Sequence, residues 1–136
     1  PIPRVQGLVE QLPVRSASVD FVSMGYALRH AEDLVVTFRE YLRVLKPGGG
    51  LLLLEFTRPR SRASYLFFRV YLNTVVPAIA RLKGANARTM MRYFWDTIES
   101  CVPPETILAA LAEAGFVEPK RFGQIQLFGE YTGRRP

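Results

Sequence analysis

Residues 42–56, LRVLKPGGGLLLLEF, constrain the fold more than any other stretch of this chain. Upstream and into it, Leu34, Val35, Phe38, Leu42 and Leu45 recur at helical spacing, so AEDLVVTFREYLRVL predicts an amphipathic helix over residues 31–45. Glu32 and Asp33 sit in its first turn, where they favour the positive end of the helix dipole. Lys46, Pro47 and Gly48 then supply the usual stop. The run GLLLLEF shows no alternation, which predicts a strand covered on both faces, as inside a parallel sheet. With the apolar run VDFVSMG, Val19 to Gly25, the order is strand, helix, strand. That is one βαβ unit with a right-handed crossover, and it places the chain in the α/β class.

The flanking segments extend the pattern. Pro3 to Gln6 predicts the tail of an earlier strand. SYLFFRVYLNTVVPAIARL predicts a helix too apolar for an ordinary surface position, kinked or split at Pro77, and NARTMMRYFWDTIES a second helix. PPETILAALAEAGF predicts a third, with Pro104 in its first turn, Ile107, Leu108 and Leu111 on one face, and Gly115 as its stop. Phe116 to Phe122 and Ile125 to Thr132 predict an antiparallel edge hairpin around Gly123.

At 136 residues, with 49% hydrophobic and 22% charged residues, the chain has the size and composition of one domain, 1–136. The single Cys101 has no intramolecular partner, and no Cys/His cluster has metal spacing, so the expectation is a reducing, cytoplasmic setting and no metal. No run of 18 apolar residues occurs, so no membrane-spanning segment is expected. Net charge is +6, but it is unevenly placed. From Arg58 to Arg92 there are eight basic residues and no acidic one. That segment overlaps the aromatics Tyr65, Phe67, Phe68, Tyr71, Tyr93, Phe94 and Trp95, so residues 58–95 form a basic, aromatic, helical unit within the domain. Three readings fit it: a helix pair packed over the sheet with arginines snorkelling outward, a substrate lid touching an anionic membrane surface, or a nucleic-acid surface. No nucleic-acid recognition motif accompanies the charge, which weighs against the last.

Chemistry-bearing candidates follow from position. Gly48 to Gly50 contains Gly-x-Gly, but it joins a helix to a strand. A phosphate loop needs the reverse order, with helix N-terminal amides facing the anion, so this triplet reads as a hinge. His30, the only histidine, follows the carboxyl end of the VDFVSMG strand, where open α/β sheets bind ligands, and its ordinary titration range suits proton abstraction. The competing reading is a helix-start histidine bonded to backbone. Glu55 ends the LLLLEF strand and reads either as a general acid/base or as a solvated turn carboxylate. Tyr26 and Arg29 share the location of His30.

REYLRVLKPGG followed by GLLLLEF resembles the second half of a class I S-adenosylmethionine-dependent methyltransferase. QGLVEQLPVRSASVDFVSMGYALRHAED before it, IESCVPPETILAALAEAGF after it and the closing GEYTGRRP are similar to the same family in the same order. The subgroup they resemble is the ubiquinone/menaquinone-biosynthesis type. The resemblance implies a partial Rossmann-like domain: the carboxyl-terminal portion, with parallel strands and an antiparallel terminal hairpin. It also implies that the glycine-rich loop holding the methionine part of the cofactor, and the acid that takes the ribose hydroxyls, belong to a preceding half without a counterpart in these 136 residues. The absence of an initiator methionine in PIPRVQG fits that expectation. By matching position to position, the cofactor-side residues are Gly7, Leu8, Val9 and Gly25. After Gln-Gly the family places Asp or Asn and then Ala, to bond the adenine; here Leu8 offers no side-chain acceptor, while the Val9 amide still offers a donor.

The resemblance implies methyl transfer from S-adenosylmethionine to a small apolar, quinone- or lipid-like acceptor. A non-catalytic half-domain serving as a binding or assembly module is the alternative. The strand Val19 to Gly25, left at an edge, further predicts self-association, most simply as a two-fold dimer, and the lid reading of the basic segment carries with it peripheral membrane contact.

Overall fold

Strand β2 (Leu45–Phe56) has a neighbour on each side, parallel β1 (Val19–Gly25) and antiparallel β4 (Phe128–Arg134). The computed structural model describes residues 4–59, 61–82, 88–123 and 127–136. Within them β4 also pairs antiparallel with β3 (Val117–Phe122), so the sheet order is β1-β2-β4-β3. The expected terminal hairpin is therefore present, but only β3 is an edge; β4 runs inside the sheet. Ile125 and Gln124 lie outside the described residues. Arg4 to Gln6 pair with no strand, so the expected strand tail is not formed there.

Helix α1 (Leu34–Val44) crosses from β1 to β2. Asp33 is its N-cap rather than a first-turn residue, and the carboxylate accepts the Val36 N–H at 3.0 Å. The helix ends at Val44 and runs directly into β2, so Lys46, Pro47 and Gly48 lie inside the strand rather than in a separate hinge. The ladder shows why both features coexist. Val19 pairs with Leu45 but Phe21 pairs with Gly50, which leaves residues 46–49 as a bulge. Gly48 takes φ +78° there, a conformation that side chains resist. Its N–H donates to the Arg135 carbonyl at 3.0 Å, and the Arg135 N–H returns a bond to Gly49 at 2.9 Å. The Arg135 guanidinium also donates to the Arg43 and Leu45 carbonyls at the end of α1, where a cation suits the helix dipole.

Helix α5 (Pro104–Ala114) ends as expected at Gly115, φ +106°, with the Phe116 N–H closing back onto Leu111. It packs beside α1 on one face of the sheet. Phe38, Tyr41, Leu45, Leu51, Leu53, Ile107, Leu111, Phe116 and Tyr131 form the main core between those helices and the strands. The other face is covered only near the strand ends, where Phe56 and Phe128 pack beneath α4, and is otherwise open in the described residues. Leu53 is fully buried while Leu54 is 39% exposed, and Phe21 and Phe122, on the same side as Leu54 by register, are exposed too. The expectation that GLLLLEF is covered on both faces is thus corrected. Helices α1 and α5 fall on the same side, and among the described residues Leu54 on the second face stays exposed.

The basic segment folds as α2 (Arg62–Val70), a π-turn at Tyr71–Val75, α3 (Val76–Leu82) and α4 (Arg88–Glu99). Pro77 does not split the first of these helices. The Val76 N–H bonds to Tyr71, five residues back, which widens the turn ahead of the proline ring. Arg62–Arg81 is accordingly one 20-residue helix with mean hydropathy 1.2, by length and composition enough to cross a membrane although no unbroken run of 18 apolar residues occurs, which corrects the expectation of no such segment. Its inner side chains meet α4 in a second core of Leu72, Trp95, Ile98 and Leu127, flanked by Phe56, Tyr65, Phe68 and Phe128.

The one-sided burial predicts unequal costs for adjacent leucines. Leu53→Ala should lower the stability of this chain by about 2–5 kcal/mol in denaturant titration, and Leu54→Ala by about 0.5 kcal/mol or less. Equal losses would show that the second face is covered in solution.

A pH dependence follows from Glu40. Its carboxylate accepts from Arg43 Nε and Nη2 at 2.7 Å and from the Leu12 N–H at 2.7 Å, binding α1 to the segment before β1. The Arg43 bonds hold this carboxyl below its ordinary value of 4.5, against the opposing effect of burial. A carboxyl depressed in the folded state adds stability above its ordinary pKa and loses it as pH falls through the folded one. The melting temperature of the native chain should therefore fall more steeply below about pH 4.5 than that of Glu40→Gln, as followed by circular dichroism.

Candidate active site

Parallel strands β1 and β2 end together at Gly25 and Phe56, the edge at which open α/β sheets take ligands. The chain turns there through Tyr26, whose φ of +58° is rare for an aromatic residue and costs on the order of 1–3 kcal/mol. The Tyr26 N–H donates to the Leu54 carbonyl at 2.8 Å, so the strain is held by the last rung between the strands. A single 3₁₀ turn, Leu28–His30, follows.

Glu55 holds that turn. It is only 8% exposed, and one carboxylate oxygen accepts the N–H groups of Ala27 at 2.8 Å and Leu28 at 2.9 Å. Those amides satisfy a charge that burial would otherwise penalise. At 8% exposure Glu55 is not the solvated turn carboxylate that was one of its two readings; its Oε1 holds the turn in place. Arg29 clamps the same turn to α4. Its Nη1 donates to Thr97 Oγ1 at 2.8 Å, its Nη2 to the Tyr93 hydroxyl, and its guanidinium lies 5.2 Å from the Tyr93 ring centre. Arg29 Nε also donates to His30 Nε2 at 3.2 Å. His30 is exposed at the strand end, and proton uptake at Nε2 requires that bond to open.

Beside the turn stands an aromatic group. Tyr26 and Phe56 ring centres are 4.6 Å apart, Phe56 and Phe128 5.4 Å, and Phe56 and Phe94 4.9 Å in an edge-on contact. A cavity of about 220 Å³ opens next to it, lined by Tyr26, Leu54, Glu55, Phe122, Phe128 and Glu130. A larger hollow of about 410 Å³ lies beside Arg58, Glu99, Cys101 and Arg121. Burial pushes the Cys101 thiol up, against the nearby Arg58, so it is poorly suited to act as a nucleophile.

The cofactor-side candidates divide. Gly25 is exposed, and the nearest atom to a Cβ placed there is 4.0 Å away, so a ligand can approach its backbone closely. Gly7, Leu8 and Val9 lie on a separate turn in which the Gln11 N–H donates to the Leu8 carbonyl at 3.1 Å. Gly7 is required there, because a Cβ would sit 2.6 Å from Pro13 Cδ. Glu10 ties this turn to the chain beyond His30 by accepting the Glu32 N–H at 3.0 Å. The Leu8 side chain, 68% exposed, offers an adenine contact surface but no acceptor. Among the described residues no glycine loop joins a strand to a helix start. Sequence reasoning missed the Arg29–Tyr93–Thr97 clamp. Tyr93 and Thr97, spaced i,i+4 on α4, were its one legible sign.

Comparison with known proteins places these features in context. Residues 2–124 match the ubiE/COQ5 methyltransferase family. The demethylmenaquinone methyltransferase of Chlamydia trachomatis serovar L2 is 35% identical over 125 residues, covering 91% of this chain and 53% of that protein. The 2-phytyl-1,4-naphtoquinone methyltransferase of Thermosynechococcus vestitus is 31% identical over 118 residues, 87% of this chain and 52% of its own. Among solved structures, a SAM-dependent methyltransferase from Thermotoga maritima superposes with a TM-score of 0.65 at 19% identity, over 97% of this chain and 63% of that one. The fold is therefore that of a partial Rossmann-like methyltransferase domain. The chain spans about half the length of the curated relatives it matches.

The role assigned to Glu55 separates from catalysis by a structural readout. Glu55→Ala should cost about 2–3 kcal/mol, with faster amide exchange at Ala27 and Leu28, because one buried and one part-buried N–H lose their acceptor. Glu55→Gln keeps one acceptor oxygen and should recover most of that protection. Exchange rates that do not change in Glu55→Ala would contradict the assignment.

Proposed function

Because the chain belongs to the ubiE/COQ5 methyltransferase family, whose cofactor is S-adenosylmethionine, we propose that it forms the acceptor-side half of a methyltransferase site for a quinone-like ring. The observation that carries this reading is the aromatic group at the strand ends. Tyr26, Phe56 and Phe128, with Phe122 and Leu54 across the cavity, offer flat apolar surface to a planar acceptor. The relatives matched are named for methyl transfer to demethylmenaquinone and a phytyl naphthoquinone, which supports an acceptor of this class and lends none to a non-catalytic module.

Methyl transfer from a sulfonium is an in-line displacement, and it depends chiefly on holding donor and acceptor in register. S-adenosylmethionine, when bound, supplies the electrophilic methyl group. Gly25 and the 7–9 turn would hold its adenosyl side. Tyr26 orients the acceptor ring, Glu55 and Arg29 fix the turn that carries Tyr26 and His30, and packing of α4 restricts water. His30 Nε2 takes a proton from a ring hydroxyl of the acceptor once Arg29 Nε releases it. The open outer edge of β1 and the uncovered sheet face support completion of the site by further polypeptide, either the other half of a domain or a second copy.

Two measurements test the reading together. In the gene product carrying this segment, transfer of a labelled methyl group from S-adenosylmethionine to a demethylated naphthoquinol should be measurable and should be lost in Tyr26→Ala. His30→Ala should lower kcat by more than it raises KM, and an unchanged pH–rate profile in that variant would remove His30 from the mechanism. The 136-residue chain by itself should bind the cofactor with a Kd in the millimolar range, about −4 kcal/mol, by calorimetry. Low-micromolar binding would overturn the half-site assignment.

A further inference from the structure

The helix Arg62–Arg81 carries more apolar surface than its core contacts use. Tyr65, Phe68, Leu72 and Val76 face inward, onto the cluster around Trp95 and Ile98. Leu66, Phe67, Val70, Tyr71, Val75 and Ile79 are exposed, from 62% at Phe67 to 52% at Ile79 and 38% at Val75. Their spacing of three and four residues is that of one helical stripe, except across the middle, where the π-turn at Tyr71–Val75 intervenes. A π-turn takes up an extra residue in one turn, so it returns Val75 and Ile79 to the side already set by Leu66, Phe67 and Val70. Only 6% of the helix's apolar window is buried in the fold.

Charge identifies what such a surface meets. The stretch from Arg58 to Arg92 holds eight cations and no anion, and Arg58, Arg62, Arg69, Arg81 and Arg92 are all exposed. Another apolar protein face would fit the stripe but would leave these cations unmatched. A bilayer rich in anionic lipid matches both, taking the apolar side chains below the headgroups and the guanidinium groups at their level. Spanning is a poorer fit despite the length of the helix. Arg69 falls near its middle, and its inner face is committed to Trp95 and Ile98. We propose that Arg62–Arg81 lies in the plane of an anionic membrane surface and docks this protein there. The site goes beyond the methyl-transfer reading and stands without it, although Phe56 and Phe128 belong both to the aromatic group at the strand ends and to the cluster under this helix.

Flotation of the 136-residue chain with lipid vesicles tests the proposal. Phosphatidylcholine vesicles containing phosphatidylglycerol should carry the protein, and pure phosphatidylcholine vesicles should carry roughly tenfold less or none. Raising the salt to about 1 M, where the screening length falls to about 3 Å, should release most of it. The double variant Phe67→Ser, Val70→Ser changes only exposed side chains; it should keep the native circular dichroism melt and lose flotation. Arg62→Gln with Arg81→Gln should weaken binding roughly tenfold or more, by removing two cations near the surface. Equal binding to neutral and anionic vesicles overturns the proposal, as does binding untouched by either variant. Resistance to alkaline carbonate extraction would overturn it in favour of a spanning helix. Light scattering that shows a dimer abolished by Phe67→Ser, Val70→Ser, in a chain that ignores vesicles, would assign the stripe to a second copy.

Discussion

Burying alternate leucines of β2 is the constraint from which the rest of the fold follows. Leu45, Leu51 and Leu53 leave water on one face of a strand that is already bonded along both edges, and α1 and α5 close over them. Burial at roughly 25 cal/mol per Å² makes this the largest stabilising term available to the chain. Because β2 is fixed on both sides, Glu55 near its end is fixed too. The carboxylate can then hold Ala27 and Leu28 in place, and the loop beyond β1 inherits the rigidity of the sheet.

The site is built outward from that rigid strand end. A strained Tyr26 is tolerated because the Leu54 carbonyl and the Glu55 carboxylate constrain its neighbours. Arg29 carries the restraint further, into Tyr93 and Thr97 on α4. Helix α4 is therefore coupled to the sheet through this guanidinium as well as through the packing of Phe94 on Phe56. His30 sits at the end of this chain of contacts, exposed and engaged by the same arginine.

Periodicity made the βαβ unit and α5 legible, since Phe38, Ile107 and Leu111 recur at the spacing a one-sided helix needs. The bounds of β1 were legible from the short apolar run Val19 to Gly25 rather than from any period. An apolar run, however, records what the residues can bury and not what is present to bury them, so GLLLLEF read as two-sided while Leu54 stands exposed. The place of β4 between β2 and β3 depends on pairings between segments far apart in sequence, and no local signal encodes that. Tyr26, His30 and Glu55 do lie at the carboxyl ends of β1 and β2, as their positions in the sequence implied, but the contacts of Glu55 were not legible. Whether a carboxylate works on a substrate or on two amides is decided by a turn of chain 27 and 28 residues away. The π-turn was equally hidden, because a proline advertises a break and not the way around it.

The insertion of β4 has a consequence for the order in which the molecule can be made. On the ribosome, β1, α1 and β2 emerge first and can assemble by local contact. Strand β3 is the next strand to emerge, after α2 to α5, and has no strand to pair with, for among the described residues it joins the sheet only through β4. The rungs from Gly50 to Arg134 and from Phe56 to Phe128 each close a loop of more than half the chain. Until they form, β2 keeps one raw edge and Tyr131 has no core to enter. Completion of the sheet is thus a late, long-range event that joins three strands at once, and nascent chains stalled before Phe128 would expose the surfaces most prone to mispairing.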